Sequence, residues 1–483
     1  MQYKWTVLTV TTVGVLMSGI DSRIVVIGLP TVAASLGADA EQAIWFTQAY
    51  VIGSTVALLF LGRVSDIYGR VRVYNIGFAI FTAGSLITSL SPSPDFFIAA
   101  RIFQGLGSAA LFSNSAAIIT DAFPHGELGT ALGINSVAFR AGSMFGLTLS
   151  GLILAFFDWR YLFYVNIPVG IFGTVWAHAR LREQSKPERS SAMDWAGFVA
   201  FTSFITFLLL GLTFAAYGFG DTLLFVSFFL LSAVSLLFFV RYERRHAAPL
   251  LDLSLLRIKE FTGAVTAQLI NAMAWGAFIL LISLYLQLVK GLTPLQAGLA
   301  IVPFDISMLL FTPLSGRMSD RFGTRPFATA GLCVVTASLL AMSTLAPETP
   351  YTTLLLFLLI GGAGSGLFTS PNMSSVMGSV PSHRRGVASA FRATFFNIGF
   401  VLSFNIVILV LTFYLPYGLI TQIIVSQGLM TTIGTNAARF SGALDNVFLV
   451  LAVINTIAII PSVLRGRRIE PEHASERTFA EPE

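Results

Sequence analysis

Apolar stretches of about 20 residues alternate along this chain with short polar connections, many of them basic. A helix rises about 1.5 Å per residue, so a run of that length matches the roughly 30 Å hydrocarbon core of a bilayer. Fourteen such stretches can be drawn, near 6–29, 44–62, 73–91, 96–120, 131–155, 161–180, 196–216, 222–241, 262–286, 295–315, 326–345, 352–378, 388–414 and 445–464. The pattern predicts an all-α polytopic membrane protein with 14 transmembrane helices. The first stretch is too long, and too polar at Asp21, for a cleaved leader, and further spans follow it. The connection at 415–444 is long and rich in Gly, Thr, Ser and Asn, and is expected to be a mobile loop or a cover over one mouth of the bundle. The tail 467–483 is polar and reads as disordered.

Composition agrees with the pattern. The chain is 55% hydrophobic and 11% charged, with a mean hydropathy of +0.79, whereas soluble domains carry about a quarter of their residues as charges. Glycine is abundant, at 42 residues, and suits close helix approach in lipid, where no hydrophobic drive brings helices together. The single cysteine, Cys333, excludes an internal disulfide, and the five histidines show no metal-ligand spacing, so no metal or cofactor is expected. A pI near 9.4 raises nucleic acid as a partner. The positions of the cations remove it. With the amino terminus placed in the cytoplasm, 22 of the 29 Lys and Arg fall on that side and only Arg160, Lys290 and Arg439 on the other. That asymmetry is the positive-inside bias; it puts both termini in the cytoplasm and makes the basic excess a topology signal.

One polar connection occurs twice. Gly62-Arg63-Val64-Ser65-Asp66-Ile67-Tyr68-Gly69-Arg70 is echoed by Gly316-Arg317-Met318-Ser319-Asp320-Arg321-Phe322-Gly323, and each matched pair is 254 positions apart. A constant offset implies an internal duplication. A Gly-x-x-x-Asp-x-x-Gly connection between two spans resembles the signature loop of the major facilitator superfamily. Further stretches strengthen the likeness: Arg101-x-x-Gln104-Gly105-x-Gly107, Asp158-Trp159-Arg160 with Asn166-x-Pro168-x-Gly170, Tyr285-Leu286-Gln287 through Gly298, and Ile20-Asp21-Ser22 through Pro30. Together they resemble the fourteen-helix drug:proton antiporters of that superfamily.

The resemblance implies a major facilitator fold of two pseudo-symmetric six-helix bundles, residues 1–181 and 261–466. Between them, 182–260 would hold two additional helices and their cytoplasmic links. It also implies gating roles for Gly62, Asp66, Gly69, Arg70, Gly316, Asp320 and Gly323, and for Arg101, Gln104 and Gly105. A carboxylate at Asp66 or Asp320 can stabilise the positive pole of a nearby helix and pair with loop arginines; the plain alternative is a solvated charge that sets topology. The fifth-helix motif departs from the family pattern. Its glycines, Gly142, Gly146 and Gly151, keep a helical spacing while its prolines are missing.

Charges inside the spans point to function, because ionisable groups in a membrane are costly and normally face the bundle interior. They are Asp21, Arg23, Arg101, Arg140, Asp305 and Arg392. Asp21 and Arg101 occupy positions where the family carries the same types; the other four do not match it. Four cations face two anions, so a set that is fully desolvated lacks negative charge. The alternatives are that Arg392 snorkels to the surface, that Arg140 and Asp305 form a permanent pair, or that Asp21–Arg23/Arg140 and Asp305–Arg392 neutralise one another. Phe139 and Phe304 are candidates to line an apolar cavity, against the commoner role of packing between helices.

These readings converge on secondary transport, since no phosphate-cradling Gly-x-x-x-x-Gly-Lys-Ser/Thr loop is present, and no nucleophile–base set suggests an enzyme. The expected protein is a monomeric, multi-pass cell-membrane transporter that exports a small amphipathic compound in exchange for protons, with Asp21 and then Asp305 as proton carriers. Arg23, Arg140, Arg392, Phe139 and Phe304 are expected to contact the substrate, which would be anionic or zwitterionic. The alternatives are carriage of an endogenous anionic or lipid-like metabolite by symport or uniport, or a sensor that kept the fold without transport.

Overall fold

The structure is a computed structural model and describes residues 3–184, 194–217, 222–246, 251, 253–380, 385–416 and 430–465. Among these residues regular structure is entirely helical. Each of the fourteen apolar stretches lies on a helix: α1 Tyr3–Leu36, α2 Ala40–Tyr68, α3 Arg70–Ser89, α4 Pro94–Ala122, α5 His125–Phe156 and α6 Tyr161–Arg180, then α7 Trp195–Tyr217 and α8 Thr222–Glu243, then α9 Lys259–Val289, α10 Pro294–Phe322, α11 Thr324–Met342, α12 Tyr351–Gly378, α13 Arg385–Tyr414 and α14 Met430–Leu464. Among the described residues thirteen of them are long and apolar enough to cross a membrane; α2, at 29 residues, has the length but is not one of the thirteen.

The duplication is visible in which helices touch. In the first half α1 packs on α5, α2 and α3 on α4, and α3 on α6. The second half repeats this with α9 on α13, α10 and α11 on α12, and α11 on α14. Even the caps correspond. Asp39 and Gln42 form a capping box before α2, and Thr293 and Gln296, each 254 positions on, form one before α10. Both boxes satisfy backbone N–H groups that a helix start leaves unpaired.

The expected polar loops prove to be single residues. Gly69 alone joins α2 to α3 at φ +108°, and Gly323 alone joins α10 to α11 at φ +89°. A side chain is strained in that region, so the repeated glycine is what lets two long helices meet at a corner. Two boundaries also differ from expectation. The helix containing span 445–464 begins at Met430, so half of the supposed outer loop is helical; polar residues extend α14 beyond the apolar stretch, which hydropathy does not register. Positions 417–429 and the tail 467–483 lie outside the described residues. Span α9 is not continuous: it breaks at Gly276–Ala277 and ends in a π-helical turn, Tyr285–Val289.

The end that carries Tyr3 and both glycine corners is the basic end. At the opposite, far end the two halves share one large apolar core, running from Ile24–Val32 of α1 through Leu281 and Ile301 to Phe448 of α14. Toward the basic end the cores separate, one around Tyr74 and Phe78 of the first half and another around Leu332 and Phe368 of the second, with α2 meeting α13 at Ala57, Leu58 and Ala393. The α7–α8 pair lies beside the α2–α13 seam and packs little elsewhere. Leu223, Leu230 and Leu237 of α8 stand exposed, as expected of a lipid-facing helix.

Candidate functional site

Two polar clusters occupy the membrane interior. The first lies within the first half. Gly19, Gly142 and Gly146 bring the α1 and α5 backbones together, since a Cβ at any of them would strike main-chain atoms of the other helix. Two residues beyond Gly19 on α1, Asp21 has no exposed surface. Arg101 Nη1 donates to its Oδ2 at 2.5 Å, while Gln104 Nε2 and Asn166 Nδ2 donate to its Oδ1 at 2.9 and 2.8 Å. Arg101 and Gln104 are three residues apart on α4 and therefore share a face. Arg101 Nη1 also donates to Gln104 Oε1 at 2.6 Å, and Gln104 donates on to Ser85 Oγ at 2.7 Å. The guanidinium lies 4.4 Å from the Tyr50 ring centroid. Gly105 sets α4 directly against the Tyr50 carbonyl of α2. Asp21 is matched by donors from α4 and α6, and Arg101 by acceptors on α1, α2 and α4.

The second cluster lies between the halves. Arg23, two residues after Asp21, points away from the first cluster and donates from Nη1 to Asp305 at 3.1 Å and 3.4 Å. Arg140 of α5 also reaches α10, where its Nη1 meets Met308 Sδ at 3.4 Å, a weak acceptor. Arg140 is close enough to feel both Arg23 and Asp305, and Arg392 of α13 is close enough to feel Arg140. Arg392 Nε is buried with no hydrogen-bond partner among the described residues. Arg23 and Arg140 thus flank the Asp305 carboxylate, and Arg392 stands next to Arg140. The ion pairs of the expected neutral arrangement are replaced: Asp21 pairs with Arg101, and Asp305 pairs with Arg23. Arg392 as a whole is half-buried, with its Nε enclosed.

The aromatic candidates separate. Phe139 is half-buried against Phe112, with ring centroids 5.5 Å apart. Phe304 is buried between Trp275 and Phe278, 5.5 Å from each, and leaves no face for a ligand in this conformation.

At the corners, Arg70 Nη1 pairs with Asp121 at the end of α4, at 2.7 Å. The side chain of Asp66 lies outside the described residues. Sequence reasoning overlooked Glu183, whose carboxylate accepts from the Arg70 and Val71 backbone N–H groups at 2.8 and 3.1 Å and so caps α3. A Cβ on Gly69 would come within 2.6 Å of it. Asp320 is exposed, and a Cβ on Gly323 would meet nothing. Gly62 is likewise open, while Gly316 packs against Ser370 of α12. Arg465, counted above with the topology charges, is in fact buried and donates to Asn372 Oδ1 at 3.1 Å and Ser462 Oγ at 2.6 Å. At the far end, Gln287 of the π-turn donates across the interface to Ile27 O at 3.2 Å.

The family model described as Major Facilitator Superfamily matches residues 11–404 and 264–482. The chain is 33% identical to the riboflavin transporter RibZ of Clostridioides difficile, over 83% of this chain and 87% of that protein. It is 31% identical to the multidrug resistance protein Stp of Mycobacterium tuberculosis, over 83% of this chain and 74% of that one. Among solved structures, a bacterial homologue of the human lysosomal transporter Spinster, in an inward-facing and occupied conformation, superposes with a TM-score of 0.69 at 14% identity, covering 96% of this chain and 97% of its own.

Proposed function

The chain belongs to the major facilitator superfamily, and from that premise we propose that it carries a small amphipathic compound with an anionic or zwitterionic group, bound between the halves at Arg140 and Arg392. The relatives differ in what they carry, so the choice of substrate rests on the chemistry of this site. The carrying observation is the uncompensated pair of guanidiniums. Like charges at an effective dielectric near 20 repel by roughly 4 kcal/mol at about 4 Å, and by less as they separate. An anion between them offsets that repulsion and accepts bidentate hydrogen bonds. A cation would add a third like charge.

The site also suits alternating access, in which two halves rock about a midplane site. Its members come from both halves, and the contacts Arg23–Asp305 and Arg140–Met308 must change when the halves part. With the basic end in the cytoplasm, as the charge bias argues, the shared far-end core closes the outside of the cell membrane and the form described is inward-facing. Coupling to protons, in whichever direction, needs a carboxylate able to change its charge. Asp305 meets that need better than Asp21: it lies at the moving interface and keeps some exposure, whereas Asp21 is enclosed by three fixed donors.

Binding of matched anionic and neutral ligands to Arg140→Ala and Arg140→Lys tests the site. Loss of one charge-assisted contact is expected to weaken the anion by about 1.5–3 kcal/mol, with Lys rescuing part of it and the neutral ligand little affected. Equal loss for both ligands in Arg140→Ala, with lower thermal stability, would make Arg140 a structural residue and defeat the proposal.

A further inference from the structure

The charge arrangement around Asp305 fixes the sense in which a proton and an anion influence each other. From α1 Asp305 is faced by Arg23 and from α5 by Arg140, which in turn feels Arg392 of α13. Helix α12, against which α10 packs most extensively, carries no Asp, Glu, Lys, Arg or His. The charged residues Lys259, Glu260 and Arg325 of α9 and α11 lie at the basic-end termini of those helices, as do Arg317, Asp320 and Arg321 of α10 itself. Arg317 is 12 residues from Asp305, about 18 Å along the helix. Lys290 sits at the opposite end and is held by the Pro347 and Thr349 carbonyls. Among the described residues Asp305 is therefore the carboxylate that pairs with Arg23 and acts on Arg140, and Arg392 is linked to it through Arg140.

An ionised Asp305 occupies Arg23 and lowers the positive potential at Arg140 and Arg392. It is in effect a built-in competitor for the anion. Protonation removes the negative charge, frees the Arg23 guanidinium and strengthens the site for an external anion. Linkage is reciprocal, so a bound anion must also favour the protonated carboxyl. Exchange requires the opposite: a carrier that exchanges proton for substrate must bind one at the expense of the other. We infer that Asp305 binds its proton together with the anion, so that the two cross the membrane in the same direction, in place of the exchange that the family resemblance implies. The loaded carrier then holds a neutral Asp305 with the anion on the arginines, and the returning empty carrier holds the Arg23–Asp305 pair. For a monoanion both forms carry the same net charge, so neither translocation step moves charge through the membrane field. This rests on the anion reading of the site given above.

The test uses the purified full chain in lipid nanodiscs and a probe whose own charge is constant with pH, 2-naphthalenesulfonate, beside its neutral counterpart 2-naphthalenesulfonamide. From about pH 8 to about pH 5.5, sulfonate affinity should rise on the order of tenfold and sulfonamide affinity should stay level. Asp305→Asn should hold the sulfonate at both pH values as tightly as the unaltered protein does at the lower one. A second reading does not depend on the variant folding: in weak buffer near neutral pH, sulfonate binding to the unaltered protein should take up protons. Weaker sulfonate binding at low pH, proton release, or a pH dependence that survives in Asp305→Asn overturns the coupling while leaving the anion site standing. Preference for the sulfonamide, or no sulfonate binding at either pH, refutes the anion reading and this inference with it.

Discussion

The clusters around Asp21 and Asp305 are built from the same materials, a carboxylate and arginines inside a membrane, and they differ in completeness and in ownership. Asp21 draws all its donors from one half, with no exposed surface, so the cluster would move as one body in the rocking proposed above. Asp305 draws its partner from the other half, its side chain is 11% exposed and that of Arg23 is 25% exposed, and Arg140 and Arg392 form no ion pair among the described residues. A charge inside the membrane does not by itself mark a working group. What separates a structural charge from a working one is whether its partners belong to the same rigid unit, because only a contact between units is remade in each cycle.

The largest expected effect is at the closed cluster. Arg101→Leu leaves Asp21 buried without its counter-ion, which should cost about 3–5 kcal/mol and appear as a steep fall in thermal stability or in the yield of folded protein. A mild loss would mean that Asp21 can take up a proton where it stands, and the contrast between the clusters would weaken. At the open cluster, Asp305→Asn should cost about 1 kcal/mol or less, because the pair is partly exposed and Asn still accepts from Arg23; a loss as large as that of Arg101→Leu would show Asp305 to be equally structural. The smallest shift, and of opposite sign, belongs to Arg392→Leu. It removes a buried Nε without a partner and a charge facing Arg140, so stability should change by no more than about 1 kcal/mol and toward the stable side, while anion binding is lost. Marked destabilisation would show that Arg392 has a structural partner.

The helices, the duplication and the polar positions were legible in the chain because each is a local statement. An apolar run reports a span wherever it occurs, and the 254-residue offset links Gly69 to Gly323 without any fold. The pairing of Arg101 and Gln104 on one face follows from helical spacing alone. Even the surplus of intramembrane cations over anions could be counted. What the tertiary structure decided is who meets whom. Arg23 stands two residues from Asp21 yet pairs with Asp305, 282 positions away. Glu183, an exposed charge beyond α6, caps the helix that Asp66 was expected to serve. Arg465 looked like one more topology charge and proved to be buried. Phe304, a candidate for the ligand, turned into an aromatic core. Each outcome depends on helix rotation and on which glycines let backbones close to contact. The bilayer enforces length and polarity on every span separately, so the sequence carries those openly; rotation and partner choice are settled by packing among all the helices at once, and no single segment records them.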